Sequence, residues 1–298
     1  MKSTLIDILA QVPRPSITKA GWCLREGMEH ILSVDEGRML PLVEEHGLPT
    51  FYLREPNKCR HAPTQNIKDP SNCFESLCRI VTGQSVSGVV AQAVWKRLLE
   101  TVDQKLTPAQ ILAIEDVSEK LQKPAGLSRA KTRALVDLAE HFERGDLSEE
   151  FLTQSPLEVV RTRLLAVKGI GPWSCDMFCM FYLEHGDVLP MGDLGVRKGI
   201  SRHFGMRGSA HQGHLCPKKD LGKVESRLDV YHPYLSLVTY YMWRVADAPM
   251  PTPQSPLKTD EEKVVSKKKK RPSPSESRVP GTTATPVKRK CATRHVTP

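Results

Sequence analysis

The 298-residue sequence lacks five things, and each lack narrows what the chain can be. No apolar run approaches the roughly 20 residues that a membrane-spanning helix needs, so a water-soluble protein is expected. No secretory signal is legible, because Asp7 and Pro13 interrupt the apolar stretch at the N-terminus. The eight cysteines, at 23, 59, 73, 78, 175, 179, 216 and 291, include no CxxC pair, which argues against a disulfide framework and favours reduced thiols in an intracellular protein. No segment sustains the apolar/polar alternation of a half-buried strand; even Val89-Val90 lies in a 3.6-residue pattern, so the body is expected to be all-α. Residues 1–250 lack net charge, with 31 Lys and Arg against 30 Asp and Glu, whereas residues 251–298 hold 12 against 4. The formal charge of +9 therefore belongs to the tail, and any nucleic-acid surface on the body must be a local patch.

What is present is helix punctuation. Asn72 with Glu75, Thr107 with Pro108 and Gln110, and Ser128 ahead of RAKTRALVDLAEHF read as N-caps before apolar stripes, and Gly145 closes the last of these helices. Residues 28–48 read as one or two helices and 57–71 as a polar, proline-bearing loop. Residues 1–15 are an N-terminal extension, 16–250 the helical body, and 251–298 a Pro/Ser/Thr/Lys-rich tail too poor in apolar residues to fold. Within that tail Lys267–Arg271 (KKKKR) and Lys288–Lys290 (KRK) suit nuclear import, hence an import receptor as partner and the nucleus as location; a merely solvated tail is the alternative.

The most informative segment runs from Leu164 to Asp193. Gly169 and Gly171 flank Ile170, which lets the chain turn tightly and present bare backbone N–H groups to an anion, and Pro172 then opens a helix where its missing N–H costs nothing. Upstream, Ser155, Pro156 and Glu158 read as a capping box for a helix carrying Val159, Val160, Leu164 and Leu165. Downstream, Trp173, Met177, Met180 and Phe181 recur at helical spacing, with Gly186 as the expected C-cap. The result is helix, hairpin (164–173), helix: a clamp for DNA phosphate.

Asp193 opens the helical segment DLGVRKGISRHF, where an N-cap is its plainest role. A carboxylate within one helix and one loop of a phosphate clamp is also placed to stabilise positive charge on a deoxyribose as its base departs, or to orient the attacking water. Further along, Pro233 starts a helix whose Tyr234, Val238, Tyr241 and Val245 form a stripe, and Trp243 points off that stripe toward either a second interface or another element of the bundle.

LLAVKGIGPW and DVLPMGDLGVRKG, with FESLCRIVTGQSVS upstream and GLSRAKTRALVDLA between, resemble the helix-hairpin-helix DNA glycosylases, and among them the 3-methyladenine DNA glycosylase II family. The likeness runs from about Val34 to Ala246. It implies an all-helical, two-lobed fold, one lobe from 72–200 and the other from the N- and C-terminal helices, in a monomer acting on double-stranded DNA with alkylated bases. By this resemblance Asp193 is the catalytic aspartate, Trp173 and Met177 line the base pocket, and Trp243 stacks on the flipped base, whose positive charge an indole face attracts. Lys168, Gly169, Ile170 and Gly171 would hold phosphate, and Gln84 and Ser85 would lie in the loop that fills the gap left by the flipped base. The carbonyls of Leu165, Val167 and Gly169 would bind a monovalent cation, sodium or potassium; no other cofactor is implied.

Two departures refine the expectation. Bifunctional relatives carry a Schiff-base lysine where this chain has Trp173, so hydrolysis without strand cleavage is expected. Cluster-bearing relatives place four cysteines after the catalytic aspartate, whereas only Cys216 and Cys291 follow Asp193, so no iron–sulfur cluster is expected. His211, His214 and Cys216 form H-x-x-H-x-C, but zinc wants a fourth ligand and none is near, leaving a polar surface loop as the reading. A non-catalytic hairpin protein and a glycosylase for another damaged base are the alternatives.

Overall fold

A computed structural model describes residues 7, 9–12, 17–49 and 72–247. The predicted loop at 57–71 and the basic tail at 251–298, with both its lysine-rich runs, lie outside these residues. Among the described residues the chain is helical, and one isolated antiparallel bridge, Ile17 to Cys23, is the sole β feature. The stretch expected as one or two helices forms two, Leu24–Ser33 and Leu40–His46. Three predicted caps are in place: Asn72 accepts from the Glu75 amide at 2.9 Å, Thr107 from Gln110 at 3.2 Å and Ser128 from Lys131 at 3.3 Å. Each satisfies an amide that its helix leaves unpaired, worth about 1 kcal/mol. Gly145, at φ 75°, closes the Arg129–Glu143 helix as expected.

Two local readings are corrected. Ser155 does not cap the next helix: its amide bonds the Phe151 carbonyl at 3.0 Å, its extended backbone ends Glu149–Gln154, and Pro156 stands at the start of Leu157–Leu165 without a side-chain cap. Gly186 does not end the Pro172–Phe181 helix. Glu184 takes the left-handed conformation there (φ 58°), and a Cβ on Gly186 would lie 3.1 Å from the Pro233 carbonyl and 3.2 Å from the Trp22 ring, so this glycine serves close packing.

Buried apolar side chains form two clusters. The first draws on the helices between Cys73 and Phe181, and on Val188; the second joins the Leu24–Ser33 and Leu40–His46 helices to Leu194–His203, Leu221–Leu228 and Leu235–Asp247. The seam falls near 189, so the helix after Asp193 sends Val196 and Ile200 into the second cluster. The Leu235–Asp247 helix is buried on nearly every side from Leu235 to Met242, where sequence periodicity indicated a single stripe. Trp243 packs against both clusters, so of the two roles its off-stripe position left open it contacts other elements of the bundle.

One contact sets how the seam closes. A Cβ on Gly199 would sit 2.0 Å from the carbonyl oxygen of Met242, so the Leu194–His203 and Leu235–Asp247 helices cross backbone to backbone. Only glycine permits that approach. The crossing brings Trp243, the next residue, against the first turn after Asp193, where a Cβ on Gly195 would meet its ring at 2.9 Å.

Candidate active site

The hairpin has the predicted shape, and the structure shows what braces it. Gly169 is left-handed (φ 84°), and a Cβ there would lie 2.6 Å from that of Ala134 on the Arg129–Glu143 helix. Ile170 points inward, 4% exposed, and its amide bonds the Val167 carbonyl at 3.1 Å, closing the turn. Gly171 is the N-cap of Pro172–Phe181.

Asp137 supplies the main brace. Its carboxylate accepts the Lys168 amide at 2.8 Å and pairs with the Lys168 ammonium at 3.0 Å. Burial pushes that carboxyl upward, but the hydrogen bonds and charge of Lys168, with His141, outweigh it and hold it below its ordinary 3.8. The Lys168 and Ile170 amides are thus engaged within the protein, so the hairpin donors left for an anion are the N–H groups of Gly169 and Gly171. Gln84 is a second brace: its side-chain amide donates to the Gly169 carbonyl and to Ser174 Oγ, both at 2.8 Å. Beside it Ser85 is exposed and left-handed (φ 55°), followed by the exposed Val86 and Val89.

One helix further, Asp193 caps Leu194–His203 as predicted, and both of its oxygens accept hydrogen bonds. Oδ1 accepts the Val196 amide at 2.9 Å and the Trp243 indole N–H at 3.0 Å; Oδ2 accepts the Trp173 indole N–H at 2.9 Å. The two tryptophans and the carboxylate, 20 and 50 residues apart in sequence, form one cluster. Sequence reasoning brought all three to the site but gave the indoles only faces, not N–H edges aimed at the carboxylate. Phe181, one of the apolar residues recurring along the Pro172–Phe181 helix, stacks its ring on Trp243, with centroids 5.7 Å apart and planes 12° apart, while 37% of it stays exposed. Met177, one turn from Trp173, is buried at 6% exposure yet belongs to neither core cluster.

The remaining sequence candidates fall elsewhere. No group of three His, Cys, Asp or Glu side chains able to hold a metal ion occurs among the described residues, His211, His214 and Cys216 included. Asp220 organises that loop instead, accepting from the Ser209 amide at 2.8 Å and the Cys216 amide at 2.6 Å. Arg161 is paired with the buried Asp176 on the hairpin helix.

Residues 78–215, which hold both the hairpin and Asp193, match the model of the HhH-GPD superfamily base excision DNA repair proteins. Over that stretch the chain resembles this superfamily. It is 26% identical over 242 residues to the DNA-3-methyladenine glycosylase of Saccharomyces cerevisiae, covering 73% of this chain and 78% of that protein. Over 177 residues it is 28% identical to DNA-3-methyladenine glycosylase 1 of Schizosaccharomyces pombe, covering 58% and 72%. Among solved structures, a DNA-3-methyladenine glycosidase from Bacillus halodurans superposes with a TM-score of 0.56 at 28% identity, covering 74% of this chain and 89% of that one. A Schizosaccharomyces pombe 3-methyladenine DNA glycosylase in complex with abasic DNA shares the fold, with a TM-score of 0.59 at 21% identity over 76% and 99% of the two chains.

Proposed function

We propose that this protein is a monofunctional DNA glycosylase that excises alkylated purines of the 3-methyladenine type by hydrolysis, leaving an abasic site. The observation that carries the reading is Asp193, held by three N–H donors at the start of a helix, one helix beyond the glycine hairpin. The hairpin amides of Gly169 and Gly171 hold the backbone of DNA without reading its sequence. Asp193 faces the sugar of the extruded nucleotide, where its charge stabilises the cation that develops as the base leaves and orients the water that replaces it. The aromatic faces of Trp173, Trp243 and Phe181 and the adaptable Met177 suit a flat, cationic base, which is also an easier leaving group. No amine stands where a lyase lysine would: Trp173 occupies that position, and its ring nitrogen is a donor with no lone pair to attack a sugar.

The cation is part of the same proposal. Carbonyl oxygens have two lone pairs, and those of Val167 and Gly169 give one each to the Ile170 amide and Gln84. The second remains for a sodium or potassium ion shared with Leu165, which would add positive charge between hairpin and phosphate. Nuclear delivery by an import receptor is proposed from the basic runs at 267–271 and 288–290, and deletion of residues 251–298 is expected to disperse the protein from the nucleus.

The test is a panel of DNA substrates carrying methylated, oxidised or deaminated bases, with released base and borohydride trapping measured in parallel. Release of methylated purines without a trapped adduct is expected. Release of only oxidised or deaminated bases, or a covalent adduct, contradicts the proposal.

A further inference from the structure

Resting on the glycosylase reading, we infer that Trp173 and Trp243 are positioning residues that aim the Asp193 carboxylate through their indole N–H groups, in addition to any contact their faces make with a base. The residue type is the first argument. Indole is a donor with no acceptor, and at both positions that donor meets a carboxylate oxygen at ordinary hydrogen-bond length, 2.9 Å to Oδ2 from Trp173 and 3.0 Å to Oδ1 from Trp243. Stacking alone needs only an aromatic face, which phenylalanine supplies.

The second argument is charge. Neutral donors fix a carboxylate without cancelling its charge, whereas a lysine or arginine would do both and weaken its pull on a developing sugar cation. The third is the count of acceptor positions. A carboxylate offers about four lone-pair directions. The Val196 amide and Trp243 take those of Oδ1 and Trp173 takes one of Oδ2, leaving a single direction, on Oδ2, for the sugar or its water. The fourth is construction. The backbone crossing at Gly199 sets Trp243 against the first turn after Asp193, where a Cβ on Gly195 would meet its ring at 2.9 Å, so that indole is held by packing before any DNA arrives.

The experiment has two arms on the full chain. In the first, indole N–H resonances and their hydrogen exchange are recorded with 15N-labelled tryptophan for wild type and Asp193→Asn. Asparagine keeps the oxygen that caps the helix and faces Trp243 but puts an NH2 group where Oδ2 was. The expected result is a downfield, slowly exchanging Trp173 signal that moves upfield and exchanges faster in the variant, with Trp243 changing less. Signals indifferent to the substitution overturn the inference.

In the second arm, Trp173→Phe and Trp243→Phe are compared with wild type in single-turnover base release from methylated duplex DNA, with melting temperatures confirming that each variant is folded. Loss of a hydrogen bond to a charged group predicts rates about 10- to 100-fold lower with DNA affinity within about threefold, and no further loss when either change is made in Asp193→Asn. Wild-type rates in the Phe variants, or equal losses in both backgrounds, overturn it. A wild type that releases no base while its indole signals respond to Asp193→Asn would overturn the glycosylase reading and leave the positioning geometry standing.

Discussion

The hairpin and the Asp193 cluster are both built around a carboxylate, and the two carboxylates have opposite kinds of partner. Asp137 meets a cation: it takes the ammonium and the amide of Lys168, so its charge is used within the protein to hold the turn. Asp193 meets neutral N–H groups, two from indoles and one from the backbone, and among the described residues forms no ion pair with Lys, Arg or His. The contrast separates two uses of an anion. In the hairpin the charge is neutralised and the outward chemistry passes to backbone amides, which suit phosphate. At Asp193 the orientation is fixed while the charge stays available, which suits a site where positive charge develops during reaction.

Substitutions at each region sharpen this contrast. Gly199→Ala is expected to have the largest effect, because the new Cβ meets the Met242 carbonyl at 2.0 Å and one helix must shift. A stability loss of about 3 kcal/mol is expected, with Trp243 displaced from Asp193 and base release lost before DNA affinity; thermal melting and anisotropy check this. Gly169→Ala strikes the other region. It combines a left-handed backbone with a 2.6 Å clash against Ala134, and about 1–3 kcal/mol of strain is expected with DNA affinity falling first. Equal loss of affinity and release in both variants would erase the division of labour.

Asp137→Asn is the mildest. Because the folded state holds the Asp137 carboxyl below 3.8, its contribution to stability is present above that pH and lost as pH falls through the lower folded value. The variant should therefore lose stability at neutral pH and show a shallower acid transition below about pH 4, measured by urea melts across pH. An unchanged acid transition would mean that Lys168 is not held by charge.

Much of both regions was legible because the rules that make them are local. A cap reaches three residues, so Asn72, Thr107, Ser128 and Asp193 announce their helices, and a G-x-G turn with proline announces the hairpin. Where two local signals compete the reading fails: Ser155 suits the start of one helix, but it ends the one before. Gly186 suits a cap, but a crowded contact with Trp22 and Pro233 uses it instead. The braces were not legible, since Asp137 lies 31 residues from Lys168 and Gln84 lies 85 from Gly169. Nothing in the spacing of a polar residue says which distant amide it will meet. Trp243 falls between the two cases. Its position off the apolar stripe marked a second contact, and only the close helix crossing at Gly199 shows that the contact is Asp193.

The glycosylase proposal requires Asp193 to act in base release and not only as a helix cap. Single-turnover release of methylated purines by wild type and Asp193→Asn, with DNA affinity measured alongside, tests this most directly, because asparagine caps a helix as well as aspartate does. The prediction is a rate at least about 100-fold lower with affinity for duplex DNA within a few-fold of wild type. An Asp193→Asn protein that still releases base at the wild-type rate would contradict it.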